Sequence, residues 1–227
     1  MNMPRFYSII ENENYKIGCT GQTVWVWDKN DTVLAKFKDL IYAYKALISP
    51  KGDIFAVKSV EGKLAVYSLE TLSLIRKLRF SKVDSQDNGF CFSPDGKYFL
   101  NIECHGDSLH SALSVYDTDG FSLVFQKMMG EYIMLSEIQV VDGEYYVLGY
   151  TRREDGIYDR RFVAKFKDNM LCDAVQISES DYQFYCENIE QTLFGYKLSH
   201  RGFCEHTLAR IWAYYRAKGQ DLKLPEF

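Results

Sequence analysis

The sequence predicts an all-β protein, and three observations lead to that prediction. Aromatic residues make up 15% of the 227-residue chain, with 17 Tyr, 15 Phe and 3 Trp. Only four prolines are present, and short hydrophobic runs alternate with turn residues along most of the sequence. Because aromatic and β-branched side chains fit the half-buried surface of a sheet, this composition favours strands over helices.

One short segment recurs about every 40 residues, which is the mark of a repeat architecture. The clearest copies are "SPDGKYFL" at 93–100 and "SPKGDIFA" at 49–56. Looser copies lie at 11–18, 141–148 and 178–185. Each copy begins a predicted strand with one large residue after the turn, and these residues are Tyr15, Ile54, Tyr98, Tyr145 and Tyr182.

A second landmark follows the first in every copy, near the end of the next predicted strand. It is an aromatic residue: Trp27, Tyr67, Tyr116, Phe166 or Tyr196. Residues 42–80 show the whole unit as four short strands separated by the turns "PKGD", "EG" and "ET". Four strands per period select a β-propeller-like array of about five four-stranded antiparallel blades. An α-helix is predicted to follow the array.

These features resemble WD-repeat and related β-propellers over residues 5–198. The resemblance rests on "VWVWD" at 24–28 and on the repeated Ser-Pro-x-Gly turns. Trp27-Asp28 and Tyr116-Asp117 match the WD-type strand end, whereas the Gly-His pair of that family is absent from every unit. The resemblance implies a degenerate propeller whose partner face carries the loops between second and third strands.

The chain is predicted to divide into a repeat domain at 1–198 and a helix with a tail at 199–227. The helix is predicted because apolar residues such as Leu208 and Ile211 recur at helical spacing. It is expected to pack on the last blade or to dock into a partner's groove. Segment 171–178 fits either the last strand of unit four or the first strand of unit five. The array therefore lacks one strand, or it is incomplete and closes by forming a homo-oligomer.

Two predicted loops between second and third strands, 104–112 and 151–161, are long and polar. They belong to neighbouring units, so they are expected to form one rim. Arginine and tyrosine dominate binding at many protein interfaces, and arginine also grips carboxylates and phosphates through two hydrogen bonds. The alternative is a hairpin held by its own ion pairs. The residues predicted for a partner-binding rim are Arg152, Arg153, Tyr158, Arg160, Arg161, His105, Asp107 and His110.

The loop of unit three also contains residue types that bind transition metals, namely Cys104, His105, Asp107 and His110. Their spacing matches no standard metal signature, so a solvated loop without a metal or another cofactor is the expectation. Glu103 lies beside this loop, and the sequence does not distinguish it from an ordinary polar residue. A metal-assisted hydrolase or lyase that uses the four residues is the enzymatic alternative.

Composition narrows the class of partner. The net charge is −4, and no long run of like charge is present, so a nucleic-acid partner is not expected. No apolar window is long enough for a membrane span or an export signal. The six cysteines are scattered without a Cys-x-x-Cys pair, which favours reduced thiols and a cytoplasmic location. The sequence therefore predicts a non-enzymatic scaffold or adaptor that binds a protein or peptide.

Overall fold

The structure is a computed structural model that describes residues 4–80, 89–105, 110–186, 188–193, 196–201 and 207–224, with side chains described outside 183–201. The chain falls into two compact units. One consists of residues 1–87 with 188–201, and the other of residues 88–187 with 202–227. The predicted domain boundary at residue 198 stays a prediction.

Strands form most of the described chain. In chain order they are β1 (Arg5–Phe6), β2 (Ser8–Glu11), β3 (Tyr15–Cys19), β4 (Val24–Asp28), β5 (Val33–Phe37), β6 (Ala43–Ile48), β7 (Ile54–Ser59), β8 (Lys63–Ser68), β9 (Ser73–Arg79), β10 (Phe90–Phe92), β11 (Tyr98–His105), β12 (His110–Asp117), β13 (Leu123–Met128), β14 (Ile133–Val141), β15 (Glu144–Arg152), β16 (Tyr158–Lys167), β17 (Met170–Ile177), β18 (Asn188–Leu193) and β19 (Tyr196–Arg201). The helices are α1 (Glu179–Cys186) and α2 (Thr207–Ala217).

Sixteen of these strands form four antiparallel sheets of four strands each, β2 to β5, β6 to β9, β10 to β13 and β14 to β17. In each sheet the strands lie side by side in sequence order. The remaining sheet described has three strands in the order β1-β19-β18. The prediction of an all-β protein built from repeated four-stranded antiparallel units, with a C-terminal helix, is confirmed. The described residues contain four four-stranded sheets, not five.

The landmarks read from the sequence occupy matching places in the sheets. Tyr15, Ile54 and Tyr98 each begin the second strand of a sheet. The aromatic landmark of the third strand follows a β-bulge in three of the sheets, at Val26/Trp27, Val66/Tyr67 and Val115/Tyr116. A bulge bends its strand and increases the local twist. The recurrence of one bulge at one place indicates a true structural repeat.

The aspartates of the landmark pairs Trp27-Asp28 and Tyr116-Asp117 close the turns that follow them. Asp28 Oδ1 accepts hydrogen bonds from the backbone N–H groups of Asn30 and Thr32, at 2.8 and 2.9 Å. Asp117 accepts from Gly120 and Ser122 in the same way, at 2.6 and 3.0 Å. A short carboxylate side chain that bonds backbone two to five residues ahead stabilises a tight turn. These residues therefore fix the connection between third and fourth strands.

Each pair of neighbouring sheets within a unit encloses an apolar core. In the first unit, Ile17 and Val26 pack with Phe55 and Tyr67, all at most 3% exposed. The Phe55 and Tyr67 rings stack with their centroids 4.8 Å apart. In the second unit, the middle strands of both sheets contribute a corresponding core, which includes Leu100, Ile102, Leu113, Val147 and Phe162. The alternation of these apolar residues along the strands follows the two-residue period of a sheet.

The turn and strand predicted at 178–185 are wrong, because residues Glu179–Cys186 form helix α1. Ser178 precedes the helix, and its Oγ accepts a hydrogen bond from the Asp181 N–H at 3.1 Å. Acidic residues in the first turn also interact favourably with the helix dipole. Tyr182 is therefore a helical residue and not a strand landmark. The ambiguous segment 171–178 is resolved too, because its strand β17 pairs with β16.

Helix α2 packs on the sheet β14 to β17. Its Tyr215 hydroxyl also bonds Ser178 and Asp181, in the segment that the sequence assigned to a fifth unit. Leu208 and Ile211 are buried in a cluster with residues of β15, β16 and β17. After the helix, Gln176 N–H donates to the Gln220 carbonyl at 2.9 Å, and Leu222 N–H donates to the Ala174 carbonyl at 2.8 Å. These bonds cover the edge of β17, which would otherwise present unpaired backbone groups. Neither described helix has the length and apolar character that crossing a membrane requires.

Candidate functional site

The hairpin between β15 and β16 carries most of the residues predicted for the rim. Arg152 and Tyr158 are the last pair before its turn. The turn doubles back as the Asp155-Gly156 pair predicts: Gly156 has φ 78°, and Arg153 N–H donates to the Ile157 carbonyl at 2.9 Å. The loop is shorter than predicted because both strands extend into it. Arg152, Arg160 and Arg161 are thereby held on strands, whereas Arg153 lies in the turn.

Arg161 is buried in this hairpin and is used internally. Only 8% of the residue is exposed, and its guanidinium lies 5.0, 4.6 and 4.5 Å from the ring centroids of Tyr150, Tyr158 and Tyr182. It also donates two hydrogen bonds to Glu179, at 2.9 and 3.3 Å. Cation–π contacts and a bidentate carboxylate pair together join α1 to the hairpin. Arg161 therefore stabilises the site and is not exposed for a partner.

Arg152 lies on the same hairpin between two tyrosines. Its guanidinium carbon is 5.7 Å from both the Tyr150 and the Tyr158 ring centroids, and Nη2 donates to the Tyr150 hydroxyl at 3.5 Å. Burial raises the pKa of Tyr150, so this hydroxyl stays protonated at neutral pH. The Nε–H of Arg152 is buried and has no hydrogen-bond partner among the described residues. An unpaired buried donor is costly, and such donors often mark places where an acceptor can bind.

A cleft of about 400 Å³ opens beside the hairpin, a volume within the range of small-ligand sites. Tyr132 and Leu222 form apolar parts of its wall. Its charged lining residues are Arg152, Arg153, Arg160, Lys223, Glu154 and Asp159. Three of the predicted rim arginines therefore line one cleft. The contribution of Lys223 was missed by the sequence because this residue follows α2, far along the chain from the hairpin.

The histidines predicted for the rim lie at the end of the neighbouring hairpin. His105 ends β11 and pairs with His110, which begins β12. Cys104 is buried and 5% exposed, and strand geometry directs it to the opposite face from His105. Asp107 lies outside the described residues. Within the part of the chain that the structure describes, no three His, Cys, Asp or Glu residues are grouped as a metal site would require.

The two hairpin ends lie at the same end of adjacent sheets. Ser111 follows His110, and its Oγ accepts a hydrogen bond from Leu135 N–H in β14 at 3.0 Å. Met134 of β14 pairs in turn with Tyr150 of β15. A short chain of contacts thus connects β12 with the tyrosine that supports Arg152. The structure places the predicted histidines and arginines on one end of the second unit.

The sequence missed a buried polar cluster around Glu103. This side chain is 1% exposed. Its Oε1 accepts from Asn101 at 3.2 Å and from the Tyr116 hydroxyl at 2.6 Å, while Oε2 lies 3.3 Å from Gln126 Nε2 and 3.1 Å from His105 Nε2. Every acceptor position of a carboxylate is then filled.

The Glu103 cluster stabilises the sheet and offers no open position to a substrate. Burial, and then the negative charge of Glu103, raise the pKa of Tyr116. The phenol therefore remains a hydrogen-bond donor at any physiological pH. A signal for the cluster does exist in the sequence, because Asn101, Glu103 and His105 alternate with apolar residues along one strand. Alternation identifies the shared face, but the donors from other strands require the tertiary structure.

No protein-family model matches the sequence, and no curated protein matches it. Among solved structures, the chain is similar to Kuenenia stuttgartiensis hydrazine synthase, with 13% sequence identity and a TM-score of 0.44. That alignment covers 79% of this chain and 67% of the other.

Proposed function

We propose that this protein is a non-catalytic interaction module that binds a protein or peptide through one end of its second unit. The observation that carries the proposal is the β15–β16 hairpin, which bears the exposed ring of Tyr158 beside a cleft lined by basic side chains. Tyr158 is 55% exposed and lies at the start of β16, next to the cleft residues Asp159 and Arg160. Exposed tyrosine and arginine side chains are enriched among residues that dominate binding energy at interfaces.

The rigidity of the hairpin supports this function. Tyr158 packs edge-to-face on Tyr150 with centroids 4.7 Å apart, and the Arg160 N–H donates to Thr151 Oγ1 at 3.1 Å. Binding groups held on paired strands lose little conformational entropy when a partner arrives. A fixed Tyr-Arg surface of this kind suits recognition of a peptide or protein segment.

A WD-repeat-like β-propeller with about five blades is the architecture that we propose for this module. The repeated bulge before the aromatic landmark and the aspartate-closed turn support it. In this proposal the three-stranded sheet β1-β19-β18 serves as the fifth blade. Propellers commonly use the loops at one end of their blades for partners, which agrees with the end at which the cleft lies.

The partner face can be tested by affinity capture from the native host, with the wild-type chain and two single variants as bait. Arg160→Ala removes an exposed side chain of the cleft, and Tyr158→Ala removes an exposed ring on the hairpin beside it. Both should reduce recovery of the specific partner at least about fivefold, as interface residues of these types do. Tyr98→Ala is the matched control, because Tyr98 is 43% exposed at the opposite end of β11. Captured proteins are quantified by mass spectrometry.

The control variant should capture the partner as the wild type does. Arg160→Ala and Tyr98→Ala should retain the wild-type circular dichroism spectrum and melting temperature, since each replaces an exposed side chain. Tyr158→Ala should retain the spectrum but have a slightly lower melting temperature, because it loses the contacts of Tyr158 with Tyr150 and Arg161. Equal recovery with Tyr158→Ala, Arg160→Ala and Tyr98→Ala would exclude this end of the unit as the partner face.

A further inference from the structure

The cleft beside the β15–β16 hairpin has an excess of positive charge. Four basic side chains line it, Arg152, Arg153, Arg160 and Lys223, and the lining carboxylates are Glu154 and Asp159. The field inside a partly enclosed cleft is stronger than at a flat surface, since less water is present to screen it. The cleft therefore attracts an anionic group.

Two of the four cations already have carboxylate partners. Arg153 Nη2 is 2.7 Å from Asp155, and Arg160 Nε is 3.6 Å from Asp159. These pairs are exposed, so water weakens them and a ligand can compete for the arginines. Among the described residues, neither Arg152 nor Lys223 has a carboxylate within ion-pair distance. These two residues are the cations that an incoming anion would neutralise.

The framework of the cleft is built before any ligand binds. Arg152 N–H donates to the Tyr132 carbonyl at 2.8 Å, which fixes the end of β15 against the start of β14. The Arg152 guanidinium is held between two tyrosine rings, as described above, and its Nε–H lacks an acceptor. Leu222 is held by its backbone bond to Ala174, and this bond positions the adjacent Lys223. A preformed site loses less entropy on binding.

We propose that the cleft binds the side-chain carboxylate of an acidic segment in the partner, with Arg152 and Lys223 as the principal cations. This inference rests on the proposed function and names the chemistry that the module recognises. Two unpaired cations flanked by Glu154 and Asp159 suit one or two carboxylates. They do not suit a polyanion, whose many charges would meet those acidic side chains. Tyr132 and Leu222 offer apolar surface to the aliphatic part of a Glu or Asp side chain.

The inference is tested with a fluorescein-labelled decapeptide of alternating Glu and Gly, compared with the same peptide carrying Gln in place of Glu. Fluorescence anisotropy at about 50 mM salt measures binding under weak screening. The wild-type protein should bind the Glu peptide and not the Gln peptide. Lys223→Gln should weaken binding of the Glu peptide about fivefold, because it removes an exposed cation that has no other partner. Arg160→Gln should weaken it as well.

Lys167→Gln is the matched control. Lys167 is an exposed cation at the other end of β16, so its removal changes the net charge equally while leaving the cleft intact. Its affinity for the Glu peptide should stay within about twofold of the wild-type value. An equal loss with Lys167→Gln and Lys223→Gln would mean that net charge alone attracts the peptide, and the carboxylate site would be excluded.

Three further outcomes distinguish failure of the carboxylate site from failure of the proposed function. If inorganic phosphate binds and the Glu peptide does not, the cleft is a phosphate site and the inference is wrong. If neither binds while Tyr158→Ala still abolishes partner capture, the proposed function stands and only the carboxylate assignment falls. If partner capture is unaffected by Tyr158→Ala and Arg160→Ala while the Glu peptide binds in the cleft, the proposed function falls instead.

Discussion

Single residues in this protein divide into those whose role is local and those whose role depends on distant partners. Gly52 and Gly96 follow Ser-Pro in two of the repeat turns and adopt φ of 71° and 64°, as the turn motif predicted. Arg161 is the opposite case. From the sequence, Arg160 and Arg161 are equally good candidates for binding a partner. In the structure, Tyr182 and Glu179 of α1 contact Arg161. The charge pattern of a loop cannot reveal that difference.

The hydrogen bonds of Asp117 predict how the stability of the fold depends on pH. Backbone hydrogen bonds, first of all from Gly120, lower the pKa of Asp117 below its ordinary value of 3.8. A carboxylate with a lowered pKa contributes stability that is present above the unfolded value and lost as pH falls through the folded value. Asp117→Asn should therefore lower the melting temperature at neutral pH.

The stability advantage of the wild type over Asp117→Asn should shrink as the pH falls from about 6 to about 2.5, because protonation removes the charge from Asp117 itself. Differential scanning calorimetry of both proteins across this interval measures it. A difference in melting temperature that stays constant down to the lowest pH would show that the charge of Asp117 contributes nothing.

Among the elements, the four-stranded sheets follow the sequence closely, while the helix α1 does not. Strand periodicity and turn residues are local signals, so the four strands predicted in residues 42–80 are present as β6 to β9, with small differences at their ends. Segment 178–185 has tyrosine and phenylalanine at strand-like positions. Its Ser178 cap and its acidic first turn outweighed that pattern and produced a helix. Intrinsic residue propensities are a weak guide to whether such a segment forms a helix or a strand.

Helix α2 depends on Trp212 for its position on the sheet β14 to β17. The Trp212 Nε1–H donates to the Asp173 carbonyl at 2.6 Å, and Lys165 Nζ lies 4.4 Å above the ring. Trp212→Ala should lower the free energy of unfolding by about 2–3 kcal/mol, since it removes a large ring and leaves a carbonyl unpaired. Urea denaturation followed by circular dichroism measures the change.

The exposed face of the same helix supplies the control for this prediction. Tyr214 is 53% exposed, so Tyr214→Ala should change the free energy of unfolding by at most about 0.5 kcal/mol. Amide hydrogen exchange at 174–177 should become faster in Trp212→Ala only. Equal effects of the two substitutions would contradict a specific anchoring role for Trp212.

At the level of the whole chain, β1 is the feature that links its early and late segments. Arg5 and Phe6 pair in parallel with Lys197 and Leu198 of β19. Phe6 is fully buried, with its ring centroid 5.9 Å from that of Trp25 and 5.5 Å from that of Trp27.

Gly18 makes room for Phe6, because a Cβ at position 18 would lie 2.7 Å from the phenylalanine ring. The first unit therefore holds residues that are almost 200 positions apart in the sequence. The sequence around Gly18 does not reveal that an aromatic ring from another strand packs against this residue.

Phe6→Ala should lower the free energy of unfolding by about 3–5 kcal/mol, the range for removal of a buried aromatic ring. It should also increase amide exchange at 197–198, since β1 loses its anchor next to β19. Tyr7→Ala is the adjacent control, because Tyr7 is 49% exposed and its loss should cost little. If Phe6→Ala left both stability and exchange at 197–198 unchanged, β1 would have no role in joining the two segments.

The sequence by itself determined the repeat, the strand landmarks, the turn residues and the basic character of the 151–161 hairpin. These features depend on interactions between residues that are close along the chain, so a local pattern can encode them. The tertiary structure decided the rest: that Glu103 is buried with four hydrogen-bond partners, that Lys223 joins three arginines at one cleft, and that β1 pairs with β19. Each of these depends on segments brought together only by folding, because their contacts span long separations in the sequence.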